Sequence, residues 1–167
     1  NGDVGIGTAA PDCLLHLNST VSVATTAIFQ IETDETTAGD KLFIRADGDV
    51  ENENNSYAAI SDIKFKENIV DAPSQWDDFK QFQFRKYTLK NSGKKQMGVI
   101  AQEIELVSPG LVKDIPEEHG GSRGAYKVVK YSILYIKSMK VIQELMTKVE
   151  DLESENTELR NIIEQMN

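Results

Sequence analysis

Apolar positions divide the chain into an early part of short alternating runs and a late part with helical periodicity. In residues 1–60 the apolar runs are short and lie between turn signals such as Asp47-Gly48. They predict β-strands at Leu14–Leu17, Ala27–Ile31 and Lys41–Arg45. None of these runs is long enough to form a core of its own. Short strands of this kind are typically buried against other copies of the chain, so we expect an intertwined β-rich shaft.

Residues 61–130 have the mixed pattern of a small α+β domain, preceded by a polar loop at Glu51–Tyr57. The first predicted elements are an extended segment over Ile63, Phe65 and Ile69 and a short helix with the N-cap pair Ser74 and Asp77. A hairpin follows, in which Phe82–Leu89 pairs with Gln96–Ile100 and the chain turns at Asn91-Ser92-Gly93. The last elements are a helix over Ala101–Val107, a strand over Leu111–Ile115 and a flexible loop over Glu117–Gly124. We expect the aromatic residues Trp76, Phe79, Phe82 and Phe84 in the core rather than in a ligand platform.

Residues 131–167 are predicted to form one long helix, since the chain has no Gly or Pro from Tyr131 to Met166. Two seam positions recur with heptad spacing: Ile142, Val149 and Ile163 share one, Leu145, Leu152, Leu159 and Met166 share the other, and Asn156 interrupts the first. The outer positions after Leu145 are nearly all polar, which predicts a coiled coil. Branched residues at one seam position and one seam Asn favour a dimer in peptides, so the heptads do not establish a trimer. We interpret Asn156 as a residue that specifies register and oligomeric state.

Charge separates the two parts of the chain and excludes some partners. The 167 residues include 18 Lys and Arg and 27 Asp and Glu, for a net charge of −9. Nucleic acid is therefore not expected as a partner, because phosphate binding requires clustered Lys and Arg. Residues 1–60 carry ten acidic and two basic residues, whereas residues 61–167 carry 17 and 16, which indicates two different roles. No apolar run approaches the roughly 20 residues of a membrane span, so membrane insertion is not expected either.

Neither a disulfide, a metal ion nor a cofactor is expected from the sequence. Cys13 is the only cysteine, which excludes an intrachain disulfide. His16 lies in an apolar run and His119 in a Gly-rich segment, and neither has a Cys or a second His at ligand spacing. No motif for a cofactor was found.

Ser61 and Lys66 are the strongest candidates for chemistry. A neutral lysine amine can take the proton of a serine hydroxyl, so that the oxygen attacks a carbonyl. Because a free lysine is charged near neutral pH, such a site has to exclude water from the amine or place another cation beside it. Phe65 and Ile69 could supply apolar cover, and Lys64 the second cation. On the spacing alone, however, a charged loop is the better explanation.

Four motifs that follow one another along the chain strengthen the interpretation of Ser61. They are SDIKFKENI at Ser61–Ile69, GVIAQEIE at Gly98–Glu105, SPGLV at Ser108–Val112 and a Tyr-x-x-Leu element at Tyr131–Leu134. This set resembles the intramolecular chaperone auto-processing domain at the C-termini of phage tail fibres, tail spikes and endosialidases, whose signature is Ser-Asp-x-x-x-Lys-x-Asn-Ile. A related self-cleaving domain occurs in the myelin regulatory factor. The early segment DVGIGTAAPDCLLHL also looks like passages of phage fibre shafts.

The resemblance implies a homotrimer that ends in a trimeric coiled coil. Residues 61–130 would be the chaperone domain and would fold the shaft upstream at residues 1–60 of the same chain. The chaperone would then release itself by one cut between Ile60 and Ser61, with Ser61 as nucleophile and Lys66 as general base. Asp62 and Asn68 are candidates for orienting these groups, although Asp62 could equally cap a turn. The shaft would belong to the fibre or spike of a virion, and the chaperone would be released in the host cytoplasm during assembly.

Two other functions stay open at this point. The C-terminal domain could remain attached as a fibre tip that binds a receptor, with Ser61 in an ordinary turn. A multiple-turnover Ser-Lys hydrolase is less favoured, because the sequence indicates neither an oxyanion loop nor a substrate pocket.

Overall fold

The computed structural model describes residues 2–20, 23, 25–32, 40–90, 92–120 and 123–166. Its contacts divide it into two compact units, Asn1–Glu67 and Asn68–Asn167. The change of pattern that the sequence shows at Ser61 thus lies near the end of the first unit. Strands and helices both occur, as predicted for an α+β protein, and the chain ends in a long helix.

The first unit consists of two small sheets. Strands β1 (Val4–Ile6) and β2 (Leu15–Leu17) pair in parallel, and β3 (Ala27–Glu32), β4 (Asp40–Arg45) and β5 (Val50–Asn52) form an antiparallel sheet in that order. The three predicted strands are confirmed as β2, β3 and β4.

The predicted loop over Glu51–Tyr57 is wrong at its start, because β5 includes Glu51 and Asn52. Two contacts draw these polar residues into the sheet. Leu42 pairs with Asn52 and Phe43 with Glu51, and the Arg45 guanidinium donates to both carboxylate oxygens of Glu51. A polar composition therefore does not prevent a strand where a neighbouring strand supplies both backbone partners and an opposite charge.

None of the described residues of the first unit is buried. Apolar side chains such as Leu14, which is 78% exposed, lie open on both small sheets. This agrees with the absence of a core expected from the short apolar runs.

The extended segment predicted over Ile63, Phe65 and Ile69 is wrong. Ile63–Phe65 forms one 3-10 turn, and all three apolar side chains are exposed. Alternation of apolar and polar residues produces a strand only where one face is buried. Here the hydrogen bonds of a capped turn determine the local conformation instead.

The second unit has four helices and four strands among its described residues. They are α1 (Trp76–Gln81), β6 (Arg85–Thr88), β7 (Lys95–Gly98), α2 (Ala101–Val107), β8 (Val112–Ile115), α3 (Glu117–Gly120), β9 (Tyr126–Val129) and α4 (Tyr131–Gln165). Strands β6 and β7 form one antiparallel hairpin and β8 and β9 another. A 3-10 turn over Pro109–Leu111 joins α2 to β8.

Most predicted elements of this unit are confirmed, including the helix at Ala101–Val107 and the long terminal helix. The predicted hairpin is also present and turns through Gly93 in the left-handed region, at φ +67°; Asn91 lies outside the described residues. Predicted strands are shorter in the structure, since Phe82 and Leu111 precede β6 and β8.

Two local predictions for the second unit are wrong. Helix α1 has Gln75 as its N-cap residue instead of Ser74, although the Ser74 hydroxyl still accepts a hydrogen bond from the Trp76 amide at 3.3 Å. Glu117–Gly120 is helical rather than a loop. Pro116 precedes it and accepts from the His119 amide, and acidic side chains in a first turn favour a helix. Gly121 and Ser122 lie outside the described residues.

The core of the second unit lies where α2, the two hairpins and the start of α4 meet. Its buried apolar residues are Phe82, Val99, Ile104, Leu111 and Leu134, with Phe79, Val107, Val112 and Val129 packed against them. The prediction of four core aromatics holds for Phe79 and Phe82 but is wrong for Phe84, which is exposed, while Trp76 is half-buried. Phe84 lies at the rim beside Phe79, with ring centres 6.0 Å apart.

Helix α4 contributes Leu134 to this core, and most of its later apolar side chains are exposed. Every seam residue from Ile142 to Met166 is exposed, and exposure ranges from 44% at Val149 to 81% at Met166. The Asn156 side-chain amide donates to the Leu152 carbonyl one turn earlier. Of the helices described, none is long and apolar enough to cross a membrane.

Candidate active site around Ser61

A capped turn brings Lys66 back toward Ser61. The Phe65 amide donates to the Asp62 carbonyl at 3.1 Å, and the Lys66 amide donates to the Ile63 carbonyl at 3.0 Å. The Asp62 carboxylate accepts from the Lys64 amide at 3.0 Å, which caps the turn from its N-terminal side. Short 3-10 segments of this kind reverse the chain within a few residues.

Ser61 and Lys66 are in direct contact at the ends of this turn. The Lys66 ammonium donates a hydrogen bond to Ser61 Oγ, with the two atoms 2.7 Å apart. Once the amine has lost one proton, the same geometry allows the serine hydroxyl to donate to Nζ. The arrangement can therefore move a proton from the serine to the lysine, which is the first requirement of a Ser-Lys nucleophile.

The site is open to water in the single chain. Ser61 and Lys66 are both exposed, and Ile60, whose carbonyl precedes Ser61, is 85% exposed. The apolar cover expected from Phe65 and Ile69 is absent, since they are 67% and 62% exposed. Neither of the two side chains that the sequence suggested as cover therefore excludes water from the dyad.

The second cation considered for the site lies away from the Lys66 amine. Lys64 Nζ is 3.5 Å from the Asp62 carboxylate and 5.0 Å from the centre of the Phe65 ring. Asp62 therefore contacts Lys64 through both its oxygens. Asn68, the other candidate for orientation, has φ +51°, a left-handed conformation that Asn adopts more readily than most residues.

The later motifs serve packing in the second unit. A Cβ on Gly98 would lie 2.8 Å from the Tyr131 hydroxyl and 2.9 Å from that of Tyr87, so any larger residue would have to displace these hydroxyls. Tyr131 Oη accepts from the Val99 amide at 3.4 Å. Burial, together with the neighbouring Tyr131, raises the pKa of the Tyr87 hydroxyl. The motif at residues 98–105 thus joins the hairpin to the start of α4.

Ion pairs attach α2 to both hairpins. Arg85 of β6 donates to both carboxylate oxygens of Glu103, at 2.8 and 3.1 Å. This hydrogen bond lowers the pKa of Glu103 and raises that of Arg85. Lys127 of β9 contacts Asp114 at 2.6 Å and Glu105 at 2.8 Å, and these partners raise its pKa. Glu103 and Glu105 of the motif at Gly98–Glu105 therefore have a structural role, because each forms an ion pair with a neighbouring strand.

The contacts that attach α1 to α4 were not predicted from the sequence. The Glu144 carboxylate accepts from the Gln75 amide at 3.0 Å and from the Ser74 hydroxyl at 2.8 Å. These bonds, the Gln75 amide first, hold the pKa of Glu144 below its usual range. Lys137 contacts Asp78 at 3.1 Å. The charged residues Lys137 and Glu144 in an otherwise apolar stretch of α4 were a sign of such contacts, but sequence spacing does not show which element they bind.

The histidines lie apart from this chemistry. His16 Nδ1 is 2.9 Å from an Asp12 carboxylate oxygen, and His119 belongs to α3. Across the part of the chain that the structure describes, no three His, Cys, Asp or Glu side chains are grouped as a metal site would require.

Part of the chain matches a known protein family. Residues 61–113 match Peptidase_S74, described as chaperone of endosialidase. The match begins at Ser61 and includes the capped turn, the first hairpin and α2. No curated protein matched the chain.

Proposed function

We propose that three copies of the chain assemble through residues 61–167, and that each copy then releases the shaft by one cut between Ile60 and Ser61. The premise is that residues 61–113 are an intramolecular chaperone domain of the endosialidase and tail-spike type. The main support for the proposed cleavage is the 2.7 Å hydrogen bond between Lys66 and Ser61, the residue at which the family match begins. The protein is then a chaperone for a phage tail protein and a peptidase that acts once, on itself.

The only reactants in the proposed cut are groups of this chain and one water molecule. Ser61 Oγ gives its proton to the neutral Lys66 amine and bonds to the carbonyl carbon of Ile60. The carbon–nitrogen bond of Ile60–Ser61 then breaks, and the new Ser61 amine takes the proton back from Lys66. An ester now joins Ile60 to Ser61 Oγ. A water molecule hydrolyses it, leaving a carboxylate on Ile60 and restoring the serine hydroxyl.

Assembly supplies what the single chain lacks. Removal of water favours the neutral form of an amine, and the dyad of one chain is exposed. Exposed apolar side chains at Ile60, Ile63 and Phe65 give a neighbouring copy a surface to cover. Cleavage therefore follows association instead of preceding it.

The seam of α4 is proposed as the trimer contact. Its apolar residues are exposed from Ile142 to Met166, and their heptad spacing suits a coiled coil. Joining three chains at this end raises the effective concentration of their shaft segments, whose described residues have no core in one copy. The cut then removes the template, so that the folded shaft persists through slow unfolding.

Mass measurement on the expressed full chain tests the cut. The wild type should give two fragments separated between Ile60 and Ser61, and Ser61→Ala and Lys66→Ala should each give one intact chain. Ser56→Ala and Lys90→Ala are matched controls and should be cut normally. An intact wild-type chain that is folded would refute cleavage and favour a domain that stays attached as a fibre tip.

Seam variants test the link to assembly. A triple variant with glutamate at Leu145, Val149 and Leu152 should give monomers, because three charges per chain would have to enter each seam. The cleaved fraction should fall with the trimer fraction measured by light scattering.

The matched control adds the same three charges to the outer face of the same helix. It places glutamate at three exposed, uncharged positions that lie off the seam, namely Thr147, Ser154 and Thr157. This control should still assemble and be cut, which separates the effect of the seam from that of net charge. Seam-variant monomers that cut at the wild-type rate would refute the link.

A further inference from the structure

We propose that Asp62 is a positioning residue for the cut, and that its side-chain oxygen acts as a hydrogen-bond acceptor while its charge is dispensable. The proposal rests on the proposed function and adds a residue to it. Asp62 does not contact the reacting atoms. It caps the turn that holds Lys66 beside Ser61.

The contact between Ser61 and Lys66 depends on a sharp turn. In an extended chain, five residues span about 16–18 Å, and side chains at odd spacing point to opposite faces. The observed separation of 2.7 Å between Oγ and Nζ therefore exists only while residues 62–65 reverse the chain. Whatever stabilises the turn also stabilises the dyad.

Hydrogen bonds, rather than packing, hold this turn in the single chain. Ile63 and Phe65 are exposed, so neither side chain fixes the turn by burial. Two backbone hydrogen bonds close it, to the carbonyls of Asp62 and Ile63. The Asp62 side chain adds a third bond by accepting from the Lys64 amide. A cap is a large fraction of the stabilisation in so short an element.

The two oxygens of the Asp62 carboxylate make different contacts, so the role of the hydrogen-bond acceptor can be tested apart from that of the negative charge. One carboxylate oxygen accepts from the Lys64 amide at 3.0 Å, while the other is 3.5 Å from the Lys64 ammonium at the surface. The first contact needs an oxygen at that position, which the amide of Asn also provides. The second is an exposed ion pair, and such pairs contribute little to stability.

Variants at Asp62 test the contribution of the hydrogen-bond acceptor separately from that of the negative charge. Asn, Ser and Thr are cap residues, so Asp62→Asn and Asp62→Ser should cut at close to the wild-type rate. Asp62→Ala should cut about fivefold to thirtyfold more slowly, the factor expected when a cap is lost. Glu67→Ala removes an exposed carboxylate next to Lys66 and serves as the charge control.

The rates should be measured on the full chain by pulse-labelled cell-free synthesis and a chase at several pH values. Asp62→Asn should leave the pH dependence of cutting unchanged, because the amide keeps the acceptor and the Asp62 carboxylate has its contacts with Lys64. If Asp62→Ala fails to trimerise, Asp62→Gln replaces it, since its oxygen is one methylene too far for the same cap.

Three results would overturn the proposal. They are an Asp62→Asn variant as slow as the cap-deficient one, a shifted pH dependence in Asp62→Asn, or wild-type cutting in Asp62→Ala and Asp62→Gln. The proposed function fails separately, since an uncut wild-type chain, or cutting in Ser61→Ala, would remove it whatever the Asp62 series shows.

Discussion

Replacing Ile104 with alanine should destabilise the second unit more than any change on the exposed side of α2. Ile104 is 0% exposed, and it belongs to a core of five buried apolar residues. The substitution removes roughly three carbon groups at about 0.8 kcal/mol each, and the cavity left behind adds to this loss. We expect a decrease of about 3–4 kcal/mol in the free energy of unfolding.

Helix α2 itself offers the matched control. Leu106, two residues further along, is 88% exposed, so Leu106→Ala should change the stability by no more than about 0.5 kcal/mol. Both variants lie in the same short helix and gain the same alanine. Their difference therefore measures mainly burial, because Ile and Leu differ in helix propensity by only a few tenths of a kcal/mol.

Urea unfolding followed by tryptophan fluorescence measures the effect. Trp76 is the single tryptophan, and its ring centre lies 5.1 Å from Lys148 Nζ of α4, so its emission reports whether α1 is attached to α4. All proteins should carry Ser61→Ala to prevent cleavage and be compared at one concentration, because association adds to apparent stability. For a typical slope the urea midpoint should fall by roughly 1–4 M.

Two outcomes would refute this reasoning. The core would not be the one described if Ile104→Ala lost less than about 1 kcal/mol. A Leu106→Ala variant as unstable as Ile104→Ala would show that burial in one chain does not describe the protein in solution, and that another copy covers α2.

Three further predictions concern acid stability, a turn and the helix seam. Because the pKa of Glu144 is lowered in the folded state, its contribution is complete above about pH 5 and lost as the pH falls below about 4; Glu144→Gln should flatten this acid limb in tryptophan fluorescence. Gly7→Ala should shorten the protease half-life of residues 1–60, since Gly7 has φ +78° and a Cβ there would lie 2.0 Å from the Asn18 carbonyl oxygen, whereas Gly2→Ala, in open space, should not. Asn156→Ile should raise the melting temperature and broaden the oligomer distribution in light scattering, because it removes the polar residue from the seam; an unchanged melting temperature would mean that Asn156 is outside the contact.

The periodicity of apolar residues predicted correctly the elements that are long or that end at a Gly or Pro. Helix α2 ends before Pro109, and α4 has no Gly or Pro, and both have the predicted bounds to within two residues. The hairpin of β6 and β7 followed from its Gly93 turn. In these cases local chemistry and tertiary packing favour the same conformation.

Prediction failed where contacts remote in sequence, or a single cap, determine the conformation. The alternation of Ile63, Phe65 and Ile69 indicated a strand, but no sheet covers one face and the Asp62 cap produces a turn. Phe84 was expected in the core, yet the rim position of its backbone leaves it exposed. A cap role for Asp62 was one of the two alternatives drawn from the sequence and is confirmed, but apolar spacing does not show which conformation prevails there or that Phe84 stays outside the core.

For the candidate site, the sequence alone determined which residues to consider, because the ordered motifs identified Ser61 and Lys66 while their spacing did not. Only the tertiary structure decided that the two side chains meet, at 2.7 Å, since a five-residue separation becomes a contact only through a turn. It also decided that the pair and the seam of α4 are open to water in one chain. The physical reason is the same in both cases: a sequence specifies local hydrogen bonds and apolar spacing, but burial depends on what the folded surface meets.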